Sequence, residues 1–128
     1  MEKEFVPYEL AVKLKAFGFN KLCFGYYDNQ IKKLDTISSE VCERLCKHDT
    51  HTKAPTFSQI FRWFREKYNL EGYPICVRID SKRLKAYQYV IISNNYQSFQ
   101  QLGDYSTYEE AELACLKKLI SIVKKNKL

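Results

Sequence analysis

Between Ala54 and Tyr68 the chain carries its strictest folding instruction. Thr56 is a good helix N-cap, and Gln59 three residues later completes a capping box. Phe57, Ile60, Phe61, Phe64 and Tyr68 then recur at i, i+3, i+4, i+7 and i+11. That spacing predicts a helix over 57–69 with all five on one face. Such a face has to be covered, so the rest of the chain must supply a core. The pattern says much about folding and little about chemistry.

The remaining residues can supply that core. At 128 residues, with 45 % apolar and 15 % aromatic side chains, the chain is long and greasy enough to fold without metal or disulfide staples. We expect one globular domain over 1–128. No apolar run reaches the ~18 residues of a membrane helix, and Met-Glu-Lys-Glu at the N-terminus lacks the apolar core of a signal peptide. The expected home is the cytoplasm, with no membrane partner. The five cysteines (Cys23, Cys42, Cys46, Cys76, Cys115) include no Cys-x-x-Cys pair, so reduced thiols that pack as small hydrophobes are expected.

Other elements follow from punctuation and period. Pro7 suits the first turn of a helix whose stripe is Leu10, Leu14 and Phe17, and Gly18-Phe19 reads as a Schellman-type stop. Leu22–Tyr27 reads as a strand ended by Asp28-Asn29. Ser38 or Ser39 can cap a short helix that puts Val41, Cys42, Leu45 and Cys46 on one face, and Lys47–Lys53 reads as a loop. Ile75, Val77 and Ile79 alternate with polar neighbours, then a turn at Asp80–Arg83 leads to a second strand over Lys85–Ile92. After Asn94-Asn95 a weaker strand spans Tyr96–Leu102. Thr107 and Glu110 form a second capping box ahead of a final helix bearing Leu113, Leu116, Leu119, Ile120 and Val123, with Cys115 and Ile122 widening the arc. The fold class expected is α+β: a small, mainly antiparallel sheet of three or four strands packed by three or four helices.

Four blocks carry a resemblance. They are Phe5-Val-Pro-Tyr-Glu-Leu-Ala11 with Gly18-Phe19, Cys23-Phe-Gly-Tyr-Tyr27, Ala54 through Tyr68, and Tyr108-Glu-Glu-Ala-Glu-Leu-Ala-Cys-Leu-Lys-Lys-Leu-Ile120. Together they resemble an uncharacterised family of small proteins from phages and prophages of gut Bacteroidetes, whereas 28–53 and 71–104 match no pattern of that family. The resemblance implies an accessory gene of mobile elements. The family has no assigned activity, so it transfers no site residues.

Chemistry-bearing groups are sparse. Cys42, Cys46, His48 and His51 fall within ten residues, but their spacing fits neither arm of a zinc site, and packing is the better account of the cysteines. The four glycines stand singly, so no phosphate loop is present, and no acid/base pair can be named. The sequence therefore predicts no catalytic, cofactor-binding or metal-ligating residue, no cofactor and no enzymatic activity.

Binding is the remaining class. The net charge is +6, of which residues 1–53 carry nine basic against eight acidic side chains and residues 54–128 twelve against seven. Part of that second excess sits in Arg78, Lys82, Arg83 and Lys85 near the expected hairpin turn. The α-β-β-β-α order from residue 57 onward is similar to double-stranded RNA-binding domains, which grip phosphate. Glu109, Glu110 and Glu112 stand where that family has lysines, a departure that would repel phosphate. Trp63 lies about 120° from Phe57 on the helical wheel, beside Lys67, and reads either as a boundary residue covering the core edge or as an anchor for a partner. The sequence points first to a small phage or prophage accessory protein that binds a host protein, through Trp63 with Lys67 and through the Lys82–Lys85 turn. A nucleic-acid-binding module using Arg78, Lys82, Arg83 and Lys85 is the alternative. Self-association through exposed aromatics and a pocket for a small anionic signal are further expectations.

Overall fold

The computed structural model of the chain describes residues 2–78, 85–93 and 98–126. These form an α+β fold with four α-helices and two three-stranded antiparallel sheets. The strands thus divide between two small sheets where the sequence suggested one. The fold groups into two compact units, 1–60 and 61–128, and the division falls inside a helix.

In the first unit, α1 (Tyr8–Ala16) starts behind Pro7, which sits one place earlier than its first-turn preference suggested. Its extended ψ of 154° makes it the N-cap, with its carbonyl accepting from Leu10 and Ala11. The helix stops as expected. Gly18 has φ 94°, its N–H donates to Lys15 O at 3.0 Å, and Phe19 N–H reaches back to Leu14 O at 3.0 Å. This is the Schellman pattern, and Phe19 is buried behind it.

Strand β1 (Gly25–Asp28) is the centre of the first sheet, flanked by β2 (Leu34–Thr36) and β3 (His51–Lys53). The expected strand at 22–27 is therefore shorter and shifted, and β3 occupies part of what reads as loop. Three-residue strands carry no periodic signal. Their formation depends on partners: Thr52, almost fully buried, donates to Asn29 Oδ1 at 2.7 Å, and Asn29 N–H donates to Thr50 O at 2.9 Å. Helix α2 (Ser39–Leu45) follows Ser38 as N-cap and buries Cys42.

Helix α3 (Phe57–Tyr68) has the expected capping box: Thr56 N–H donates to Gln59 Oε1 at 3.0 Å and Gln59 N–H to Thr56 Oγ1 at 3.2 Å. Its last carbonyls end at Asn69, which adopts a left-handed φ of 54° and donates to Arg65 O. In the second unit, β4 (Leu70–Arg78), β5 (Lys85–Ser93) and β6 (Ser98–Tyr105) form a meander, covered by α4 (Tyr108–Asn126). The α-β-β-β-α order expected from residue 57 onward is present. Ile79, the turn Asp80–Arg83 and Asn94-Asn95 lie outside the described residues.

Gly72 explains why β4 begins five residues before the expected Ile75. A Cβ there would lie 2.8 Å from Cys115 Sγ and 3.2 Å from Leu119 Cδ1, so the bare backbone is what lets α4 settle on the sheet. Pro74 is tolerated because β4 pairs only with β5 among the described strands. On α4 the stripe facing the sheet runs through Ala111, Cys115 and Leu119, while Leu113, expected in the core, is only half-buried. No helix among the described residues is long and apolar enough to cross a membrane.

Gly72→Ala should lower stability by about 1–3 kcal/mol through overpacking against Cys115. The double variant Gly72→Ala/Cys115→Ala should recover part of that loss, read as coupling in a thermal or urea unfolding cycle.

Candidate functional site

The capped start and apolar stripe of α3 fix where Trp63 goes. It is 4 % exposed, so the indole belongs to the interior, and the partner-anchor reading of Trp63 is corrected in favour of the boundary reading. Its ring meets Phe64 edge-on at 5.2 Å and Tyr68 at 5.4 Å between centroids. Lys67 Nζ rides over both the Trp63 ring (5.0 Å) and the Tyr68 ring (5.6 Å), a cation–π cover worth about 0.5–1 kcal/mol at an exposed site. The buried arc of α3 is simply wider than the five-residue stripe. On its outer side Arg62 pairs with Glu66 at 2.8 Å, both exposed.

The hairpin brings two of the basic positions together. Arg78 and Lys85 are register partners at the end of β4–β5 where the chain passes from one strand to the next, whereas Lys82 and Arg83 lie outside the described residues. At the start of α4, Glu109 and Glu110 are exposed; Glu110 accepts from Ser106 N–H at 3.2 Å, and its own N–H donates to Thr107 Oγ1 at 3.1 Å. Those carboxylates serve the helix start, where they suit its dipole.

A surface the sequence did not single out lies on the second sheet. Because Gly72 and Ile91 face α4, strand alternation puts Tyr73, Ile75 and Val77 of β4, with Val90 and Ile92 of β5, on the other face. Tyr73 is 40 % and Ile92 44 % exposed, and the other three are half-buried. Across the strands Tyr73 opposes Val90 and Ile75 opposes Gln88, so the middle of this face carries no charge. The signal was present as the Ile75–Val77 alternation. It gave the period but not which parity would meet a helix.

The cysteine–histidine cluster comes only half together. Cys42 and Cys46 sulfurs are 3.9 Å apart, and Cys42 Sγ donates to Gly25 O at 3.4 Å. His51 leaves the pair for β3, where its Nδ1 contacts Thr50 Oγ1 at 2.8 Å and its ring meets Tyr26. Among the described residues no group of three His, Cys, Asp or Glu side chains could hold a metal ion. Burial pushes the Cys23 thiol up to about 12, with Cys42 adding to the rise and Lys53 opposing it. Burial likewise pushes Cys46 and Cys115 up to about 12, and raises Cys42. These are packing thiols, poor sources of thiolate.

A raised thiol pKa favours the neutral form in the fold. The unfolded chain sheds those protons from about 9.0 and the folded chain only near 12, so stability is whole below pH 9 and falls as pH climbs toward 12. Unfolding midpoints measured across that window should drop. At neutral pH iodoacetamide should label exposed Cys76 first and leave Cys23, Cys42 and Cys115 protected.

Compared with protein-family models, curated proteins and solved structures, the chain matches none.

Proposed function

We propose that this chain is a non-enzymatic phage or prophage accessory protein that works in the bacterial cytoplasm by binding a host protein. The single observation that carries the reading is the apolar strip along the middle of that face of the second sheet, with Tyr73 and Ile92 exposed and the charge of Glu71 confined to the Ile92 end. A small domain seldom leaves such a strip open without a use for it, and an aromatic flanked by branched aliphatics is the composition of an interface centre. The thiols of Cys23, Cys46 and Cys115 support the non-catalytic part of the reading, since burial keeps them protonated. The phage origin rests on the resemblance of the four sequence blocks.

The double variant Tyr73→Ala/Ile92→Lys tests this. Tagged protein incubated with host lysate should enrich a host protein over a control of matched charge, and the double variant should lose it while keeping its far-UV circular dichroism. Enrichment that survives both substitutions, or no enrichment at all, removes the reading. Sedimentation of the purified protein separates the remaining outcome, a second copy seated on the same face.

One observation favours the nucleic-acid alternative: the hairpin places Arg78 and Lys85 side by side in register. If Arg78, Lys82, Arg83 and Lys85 all contacted phosphate, affinity for duplex RNA would fall roughly 100-fold between 50 and 200 mM salt. Our reading expects no measurable binding to duplex RNA even at the lower salt.

A further inference from the structure

The first unit contains a half-open cleft of about 360 Å³ bordered by residues of α1, the turn after it, α2 with its C-terminal end, and β3. That volume lies inside the range of small-molecule sites, roughly 300–1,000 Å³. Its wall includes Lys15, Phe19, Glu43, Cys46, Lys47 and Lys53.

The charges in this wall do not cancel. Lys53 Nζ is bound to Glu43 Oε2 at 2.6 Å, and also donates to Asn20 O at 2.8 Å and Lys21 O at 3.0 Å. All three of its protons are used, Glu43 is neutralised, and the pair forms a fixed part of the wall. Lys15 spends one proton on His51 O at 3.3 Å, and Lys47 has no hydrogen bond or ion pair among the described residues. Two exposed ammonium groups therefore remain with open donors.

Residues at the C-terminal ends of α1 and α2 line this region, and each helix end contributes at most about half a negative charge. At α1 those carbonyls are already answered by the N–H groups of Phe17, Gly18 and Phe19. About one positive charge is left over. The same wall also has apolar members, Ala11, Phe19 and the Cys46 thiol, which burial keeps uncharged.

We propose that this cavity binds a small organic anion, its phosphate or carboxylate held by Lys15 and Lys47 and its apolar part lying against Phe19 and Cys46. The site is built from residues of the first unit alone and shares none with the sheet face of the second unit, so either proposal can fail without the other.

Four probes divide the contributions: phenyl phosphate and benzoate carry ring and charge, inorganic phosphate carries charge alone, and benzyl alcohol carries the ring alone. In calorimetric titration, phenyl phosphate or benzoate should bind saturably and raise the melting temperature. Inorganic phosphate should bind more weakly, and benzyl alcohol should give no heat. The comparison of phenyl phosphate with benzoate identifies which anionic group the site takes. Lys15→Gln and Lys47→Gln, both at exposed positions, should each weaken binding about tenfold and leave the unliganded protein folded. Bound phenyl phosphate or benzoate should also slow alkylation of Cys46. The proposal fails if neither ring-bearing anion binds at about 10 mM, a level that detects even millimolar affinity. It fails equally if binding is unchanged in both lysine variants, or if Cys46 alkylation is unaffected at saturation.

Discussion

Residues 54–56 are the tie on which the first unit depends. Ala54 N–H donates to Gly25 O and Val6 N–H to Pro55 O, both at 2.9 Å, while Phe5 and Thr56 form a β-bridge. Thr56 then closes the capping box with Gln59, whose Nε2 donates onward to Leu22 O at 2.9 Å. Ala54 and Pro55 are fully buried, so their polar groups have no recourse to water and must be answered inside the fold. Each bond adds only about 1 kcal/mol net, but a buried group left without one costs about 1–3 kcal/mol. The N-terminal segment, the start of β1 and the start of α3 are therefore fixed by one short stretch of backbone. The capping box does more than begin a helix, because its glutamine also holds the segment leading into the first sheet.

The features legible in the sequence are those whose cause is local. The box at Thr56, the Gly18 stop and the Thr107–Glu110 start each depend on groups within a few residues, and all three are present. The hairpin β4–β5 was legible in existence and type, because alternation and turn residues are also local. What escaped was set by distant partners. β2 and β3 are three residues each and exist only as additions to β1, with Asn29 and Thr52 holding them from inside. Gly72 reads as a strand breaker until Cys115 and Leu119 are placed above it, after which it becomes the condition for their close approach. The division into units 1–60 and 61–128 left no mark in composition, because it falls within a helix whose apolar pattern is continuous.

The candidate surfaces were less legible than the fold for a related reason. A helical wheel gives angles but not the width of the arc a neighbour will cover, so Trp63 looked like a boundary residue with two fates. Its rings and the Lys67 ammonium above them show the interior one. A strand's alternation likewise defines two faces without saying which will be covered. Ile75 and Val77 gave the alternation, but it is Leu70, Gly72, Tyr89 and Ile91 that are buried on the α4 side. The apolar row that remains on the other side is what draws attention to a partner.

Net charge by segment also misdirects. Residues 54–128 hold most of the excess, twelve basic against seven acidic, yet their open sheet face is neutral at its centre. Residues 1–53 are nearly balanced, nine against eight, yet folding gathers Lys15, Lys47 and Lys53 around one cavity that only Glu43 answers. Charge acts over about a Debye length, roughly 8–10 Å, so what a ligand meets is the local wall and not the segment's total. In this wall the ion pair of Lys53 with Glu43 neutralises one lysine and leaves the two at the helix ends uncompensated. Helix ends are where lysines are expected on dipole grounds alone. What distinguishes Lys15 and Lys47 from lysines that merely complement a dipole is that they share a concave wall with the apolar Ala11, Phe19 and Cys46. That combination of net charge, concavity and an apolar surface is what a small organic anion requires.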